Sequence, residues 1–184
     1  SNIINNYRFY YSSREYSYEH VSVFDNSIDH IWENNKSLYD MISVKTSKQL
    51  NDLYSPIFLE TLHRLIIKEN NKIVGWAVVM NSDLNDHRYF GDMRLGTIVD
   101  CLATSGKEKQ IIIQASKYLL DSDVDLIVTN QSYSKWIDSC KNVGFFEGFS
   151  NFLLALSPKL RQLKKDNLNI HILRGDGDGP INLS

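Results

Sequence analysis

Two apolar stretches decide the fold: Lys72-Ile73-Val74-Gly75-Trp76-Ala77-Val78-Val79-Met80 and Gly96-Thr97-Ile98-Val99-Asp100-Cys101-Leu102-Ala103. Both are rich in β-branched residues and read as strands. The second is apolar at almost every position, as expected in the middle of a sheet, where both faces are buried. Ahead of the first lies another strand, Arg64-Leu65-Ile66-Ile67-Lys68, joined to it by the turn Glu69-Asn70-Asn71. The polar residues of 81–95 (Asn81, Ser82, Asp83, Asn85, Asp86, His87) predict a loop. After the second stretch, Ile111, Ile112, Ala115 and Leu119 form one stripe of a helix that starts near Gly106, with Lys109, Gln114 and Lys117 elsewhere. A strand follows over 125–129, and a helix crossing between two strands makes them parallel. Trp136, Ile137, Cys140 and Val143 predict the next helix, which closes at Gly144. A long strand is expected over 145–156.

Outside this run, residues 6–11 and 21–24 each predict a short strand. Ile28, Ile31 and Trp32 predict a helix over 25–35. Thr46-Ser47-Lys48-Gln49 has capping-box spacing and opens a helix with Leu50 and Leu53, which Ser55-Pro56 ends. Residues 158–165 are a basic helical or loop segment, and 169–173 a last strand. The 184 residues fit one α/β domain, a mixed central sheet flanked by helices, with residues 1–20 as an N-terminal extension or linker. A net charge of -2 gives no footprint for nucleic acid. No apolar run is long enough to span a bilayer, and no signal-peptide pattern opens the chain. Cys101 and Cys140 show no metal-ligand spacing and read as buried free thiols of a reducing compartment, the cytoplasm.

The strand pair over 65–80, with Lys72-Ile73-Val74-Gly75 opening its second member, resembles the Gcn5-related N-acetyltransferase (GNAT) fold. So do the strand 96–103, the helix behind it, and the Gly144-Phe145 end of the next helix. Ile28-Asp29 with Trp32, and Arg174-Gly175-Asp176-Gly177-Asp178-Gly179-Pro180, resemble a bacterial subgroup in which two such domains lie in tandem. The resemblance implies transfer of an acyl group from acetyl-CoA or another acyl-CoA to a small-molecule acceptor, an amine on a sugar or cell-envelope precursor. It also implies a second GNAT-like domain or a homodimer as partner. The cluster Tyr7, Tyr10, Tyr11, Tyr16 and Tyr18 offers such a partner a packing face. A tRNA-dependent transferase built on paired GNAT-like domains is a further option, which the charge disfavours. A non-catalytic module beside a tandem catalytic half is the main alternative.

In the family, the cofactor pyrophosphate rests on backbone N–H groups where the central strand meets its helix, using the unpaired donors and dipole of a helix start. The positions are Thr104, Ser105, Gly106, Lys107 and Lys109, while Leu102 and Ala103 would hold the thioester and its oxyanion. The family loop, Gln/Arg-x-x-Gly-x-Gly/Ala, is reduced here to one glycine. Ser105 and Glu108 also have capping-box spacing, which would fill those N–H groups. The family places a tyrosine general acid four residues before the Gly-Phe pair. Cys140 stands there, either as the acid or as a small core residue, and Tyr133 is a substitute. Asp100, an acid in an apolar strand, reads equally as a functional group, a general base or an anchor for an acceptor amine, or as a buried carboxylate capping a neighbouring loop. His63, His87 and His171 are isolated. Arg161, Lys164 and Lys165 are positioned either to meet a 3'-phosphate or to lie on a solvated face. Residues 174–179 either line the acceptor site or tie down the C-terminus.

Overall fold

The computed structural model describes residues 15–55, 61–88, 91–148, 157–161 and 168–176. The elements, in chain order, are β1 (Tyr16–Val21), α1 (Asp29–Asn35), β2 (Met41–Ile42), α2 (Ser47–Leu53), β3 (Leu62–Glu69), β4 (Lys72–His87), β5 (Gly91–Ala103), α3 (Glu108–Asp121), β6 (Leu126–Thr129), α4 (Ser134–Val143), α5 (Pro158–Arg161) and β7 (Ile170–His171). Among the described residues five strands form one sheet in the order β1-β3-β4-β5-β6, and β2 pairs with β7 in a separate two-stranded parallel ribbon. Neighbours in the large sheet are antiparallel except β5 and β6, which the crossing helix α3 makes parallel. The sheet is therefore mixed, and the fold is α/β.

Each face of the sheet carries its own core. Leu65, Ile67, Ala77, Val79, Ile98, Cys101 and Ala103 pack under α3 and α4, which contribute Ile111, Ile112, Ala115, Leu119, Trp136 and Val143. On the other face Leu62, Ile66, Trp76, Val78, Met80, Val99 and Leu102 meet Ile28, Ile31 and Trp32 and, from the second helical segment, Leu50 and Tyr54. Period-2 alternation on β3 and β4 feeds both cores, which is why their sequences read as continuous apolar runs. Gly75 lets α3 press onto the sheet: a Cβ there would sit 2.5 Å from Ile111 Cδ1 and 2.6 Å from the Leu102 carbonyl oxygen. Among the described residues no helix is long and apolar enough to cross a membrane.

Several expectations need correction. The polar interval 81–95 is not a loop. It is the outer half of a long hairpin, with Asn81 opposite Gly96, Ser82 opposite Leu95 and Leu84 opposite Met93. Asp83 and Arg94 pair across it at 3.0 Å, and Leu84 is buried beneath. Charged cross-strand pairs give an edge a polar sequence without preventing pairing. The β3–β4 turn uses both asparagines at positive φ (Asn70 46°, Asn71 65°), the tight turn that the right-handed sheet twist favours. The first strand is Tyr16–Val21 rather than 21–24, and the last is only Ile170–His171. Residues 145–148 are not strand, and 149–156 lie outside the described residues, as does the strand expected over 6–11. Tyr7, Tyr10 and Tyr11 also lie outside them. Tyr16 and Tyr18 are engaged within this domain, Tyr16 with Glu69 and Tyr18 with Asp121 and the Tyr118 ring.

Candidate functional site

The site grows from an irregularity in β5. Val78 pairs with Asp100 and Val79 with Ile98, so Val99 is an extra residue, a bulge in the central strand. A bulge bends and twists its strand away from a neighbour. Pairing with β6 ends at that point: Leu95 to Ile98 match Leu126 to Thr129, and beyond Ile98 the two strands part. The Thr129 hydroxyl closes the last rung by donating to the Ile98 carbonyl at 3.1 Å. Among the described residues, no strand lies beside residues 99–103 of β5 on the side away from β4.

That edge runs directly into the turn before α3. Thr104 N–H bonds the Val74 carbonyl (2.7 Å), Lys107 N–H bonds the Thr104 carbonyl (2.9 Å), and Gly106 takes the left-handed conformation (φ 85°) with open space around its Cβ position. The expected capping box between Ser105 and Glu108 is not made. The tight 104–107 turn leaves Ser105 ahead of the helix, the N-cap is Lys107, and no side chain caps it. The helix start thus keeps donors available to an anion. Lys107 is held by Glu69 at 2.6 Å and by the Tyr16 hydroxyl at 3.0 Å, and these bonds hold its pKa above the ordinary lysine value. Lys109 is exposed.

On the α1/α2 face, Asp100 sits in a buried ionic cluster. Lys45 Nζ donates to Asp100 Oδ2 (2.6 Å) and Asp176 Oδ1 (2.5 Å), Tyr54 OH donates to Asp100 Oδ2 (2.8 Å), and Ser43 Oγ donates to Asp176 Oδ1 (2.5 Å). Lys45 is 1% exposed and Asp100 0%. Burial raises the Asp100 pKa against the pull of Lys45. Burial also opposes the charged ammonium, but Asp100 and Asp176 outweigh it and hold Lys45 above its ordinary value. The cluster carries two carboxylates for one cation, and Asp100 Oδ1 has no partner.

The fold recurs in solved structures. An aminoglycoside acetyltransferase from an uncultured soil metagenomic sample matches at TM-score 0.53 and 14% identity, over 79% of this chain and 99% of that one. This is the GNAT fold. Glucosamine-6-phosphate N-acetyltransferase from Arabidopsis thaliana matches at TM-score 0.51 and 14% identity, over 77% and 99%. AAC(6')-Iy in complex with the bisubstrate analogue CoA-S-monomethyl-acetylneamine matches at TM-score 0.51 and 12% identity, over 77% and 98%. No protein-family model and no curated protein matches the sequence. At these identities the likeness is one of GNAT fold.

Within that fold the other singled-out residues fall in distinct places. Cys140 lies on the inner face of α4, 6% exposed, and burial pushes its thiol up to about 12. Cys101 is fully buried, its thiol raised by the same cause, and both cysteines are free. Tyr133 precedes α4 and packs edge-on to Tyr39 at 5.1 Å. His63 meets the His20 ring edge-on at 5.3 Å and lies tilted against Tyr118 of α3 at 5.5 Å. His171 is the exception among the histidines. It is 0% exposed, it stacks between Tyr39 (5.2 Å) and Trp136 (5.7 Å), and its Nε2 donates to the Cys101 carbonyl at 3.1 Å, on the open edge of β5. Lys45, Tyr54 and Tyr39 were not singled out from sequence, whereas Asp176 lies in the 174–179 stretch read as lining the acceptor site or tying down the C-terminus, and it is bonded to Lys45 and Ser43. Lys45 is a lone cation ahead of a helix cap, and no local pattern distinguishes it from a surface lysine. The side chains of Lys164 and Lys165 lie outside the described residues.

Proposed function

We propose that this chain transfers an acyl group from an acyl-CoA to an amine. The observation that carries the reading is the parting of β5 and β6 at the Val99 bulge, which opens a strand edge leading into an uncapped helix start. A pantetheine arm is an extended chain of amides and suits such an edge; of the turn residues Thr104, Ser105, Gly106, Lys107 and Lys109, the N–H groups of Thr104 and Lys107 are already bonded within the turn, and those of Ser105, Gly106 and Lys109 are the candidates to meet a pyrophosphate. Lys109 is the free cation of that loop, since Lys107 is engaged by Glu69. Of Leu102 and Ala103, the backbone N–H of Ala103 faces the open edge with the Cys101 carbonyl and is the candidate for holding the thioester and its oxyanion, while the backbone of Leu102 turns toward β4. Asp100 is the candidate proton acceptor, directly or through water, and its unpartnered Oδ1 supports that role. Tyr133 is the better candidate acid, because a thiol with a pKa near 12 parts with its proton reluctantly. An amino-sugar or cell-envelope amine is the acceptor class we favour, by analogy with the glucosamine-6-phosphate enzyme of the same fold.

A second reading is a non-catalytic GNAT module that partners a tandem domain. Two observations favour it: His171 fills the open edge, and the acid position holds a buried thiol. Isothermal calorimetry with coenzyme A and acetyl-CoA, with adenosine 3',5'-bisphosphate as control, separates the two. Binding that Gly106→Pro weakens supports the transferase. No heat at millimolar ligand refutes cofactor use.

A further inference from the structure

The segment 168–176 lies across the open edge of β5 and bridges both lips of the gap. On the β5 side, His171 Nε2 occupies the Cys101 carbonyl. On the β6 side, Ser132 Oγ donates to the Ile170 carbonyl (2.9 Å) and accepts the Ile172 N–H (2.9 Å). The imidazole is clasped between the Tyr39 and Trp136 rings, and Leu173 is 1% exposed. Farther along, Asp176 reaches Lys45 and Ser43, and Gly175 lies so close to Tyr54 that a Cβ would collide with the phenol oxygen. The start of the segment is tied at Asn169, whose N–H bonds Asp40 Oδ2 (3.0 Å) and whose carbonyl accepts from Asp40 N–H (2.9 Å).

These contacts place one imidazole where the proposed pantetheine arm must run. We propose that residues 168–176 are a built-in gate on the acyl-CoA slot, with His171 as its plug, and that acyl-CoA binds only when this segment lifts away from Cys101 and Ser132. The inference rests on the acyl-CoA reading above. The imidazole N–H and a pantetheine amide N–H satisfy the same Cys101 carbonyl, so one replaces the other. Among the described residues His171 Nδ1 has no partner in the closed form, so the imidazole itself is held by stacking and a single hydrogen bond, while the backbone of β7 is paired with β2 and that ribbon must part or move with the segment.

A ligand that selects an open minority binds with an apparent Kd raised by the reciprocal of the open fraction. Loosening the gate must therefore tighten binding. Ser132 is exposed, outside the proposed catalytic groups, and makes both hydrogen bonds on its lip. Ser132→Ala removes them and should lower the apparent Kd for coenzyme A roughly tenfold. Gly175→Ala, which cannot seat against Tyr54, should act in the same direction. Calorimetry is paired with hydrogen exchange over 168–176, with and without coenzyme A. The gate is supported if coenzyme A raises exchange in the wild-type segment and both variants bind more tightly. Wild-type binding with the segment still protected, and variants no tighter, overturns the gate and leaves the acyl-CoA reading standing. Failure of every form to bind, although exchange shows the segment released in the variants, overturns the acyl-CoA reading and the gate with it.

Discussion

Replacing Lys45 with methionine is the sharpest test of how the buried cluster works. Lys45 Nζ stands within 2.6 Å of one carboxylate oxygen of Asp100 and 2.5 Å of one of Asp176, so without it those oxygens face each other across no more than about 5 Å. At an effective dielectric near 20, two unit charges at that spacing repel by about 3 kcal/mol. Removing one partner of a buried ion pair costs about 3–5 kcal/mol by experience with such sites. Lys45→Met should therefore lose about 3–5 kcal/mol at pH 7, a large fraction of the stability of a domain this size. The loss must depend on pH. Two close carboxylates raise the folded-state pKa of one of them, so the folded variant binds an extra proton that the unfolded chain does not. A raised folded pKa gives stability that is present at low pH and lost as pH rises through it. The penalty relative to wild type should thus shrink between pH 7 and pH 4.5. Urea unfolding followed by fluorescence of the buried Trp32, Trp76 and Trp136 reads both conditions. A loss below about 1 kcal/mol at pH 7, or an equal loss at both pH values, refutes the reasoning.

Further predictions follow from single residues. The imidazole of His171 is held neutral by burial with its pKa pushed down to about 4, against about 6.5 when unfolded, so the unfolded chain binds the extra proton in that window. Stability should fall by roughly 3 kcal/mol as pH drops from 6.5 to 4, and His171→Phe should flatten that slope in the same urea titration. Neither Cys101 nor Cys140 should react with a thiol-specific disulfide reagent at pH 7 until urea unfolds the chain, because burial holds both as thiols. Fast native-state labelling would contradict their core placement. Gly75→Ala should destabilise by about 1–3 kcal/mol, since its Cβ meets both Ile111 and a backbone carbonyl that cannot yield. An unchanged thermal midpoint would show that α3 is not seated as described.

The fold was legible because its central features are local. Alternation and apolar runs marked β3, β4 and β5, and the stripe of Ile111, Ile112, Ala115 and Leu119 marked α3 and with it the parallel β6. The outer hairpin was missed because Asp83, Asn85, Asp86 and His87 look like loop chemistry, and only their cross-strand partners show otherwise. The helix start was misread for a related reason. Ser105 and Glu108 have the spacing of a cap, but one left-handed glycine between them shifts the helix past Ser105. At the site, Asp100 stood out as a costly acid in a buried strand, whereas its partners Lys45 and Tyr54 lie 55 and 46 residues away with no local signature, and the Asp-Gly stretch that marks Asp176 does not reveal its link to Lys45. Sequence patterns report what neighbours in the chain do. A charge cluster assembled from β5, the α2 approach and the C-terminal tail is invisible to them.

The composition of that cluster also decides which of its members can leave. Lys45 is shared by two carboxylates, and Asp100 keeps a second donor in Tyr54. If Asp176 departs with the C-terminal segment, what remains is one ammonium and one carboxylate, a matched pair still bonded to a phenol. If Lys45 departs, two buried anions remain. The tail is thus attached through the one charge whose loss the core tolerates, the arrangement a releasable segment needs. Asp176→Asn should accordingly cost clearly less than Lys45→Met, about 1–2 kcal/mol, since it removes charge that the cluster carries in excess. It should also raise hydrogen exchange at residues 170–173 while leaving α3 and β4 protected. Equal costs for the two substitutions, or exchange that rises across the whole sheet, would mean that Asp176 is as deeply built into the core as Lys45, and that the tail does not open separately from the fold.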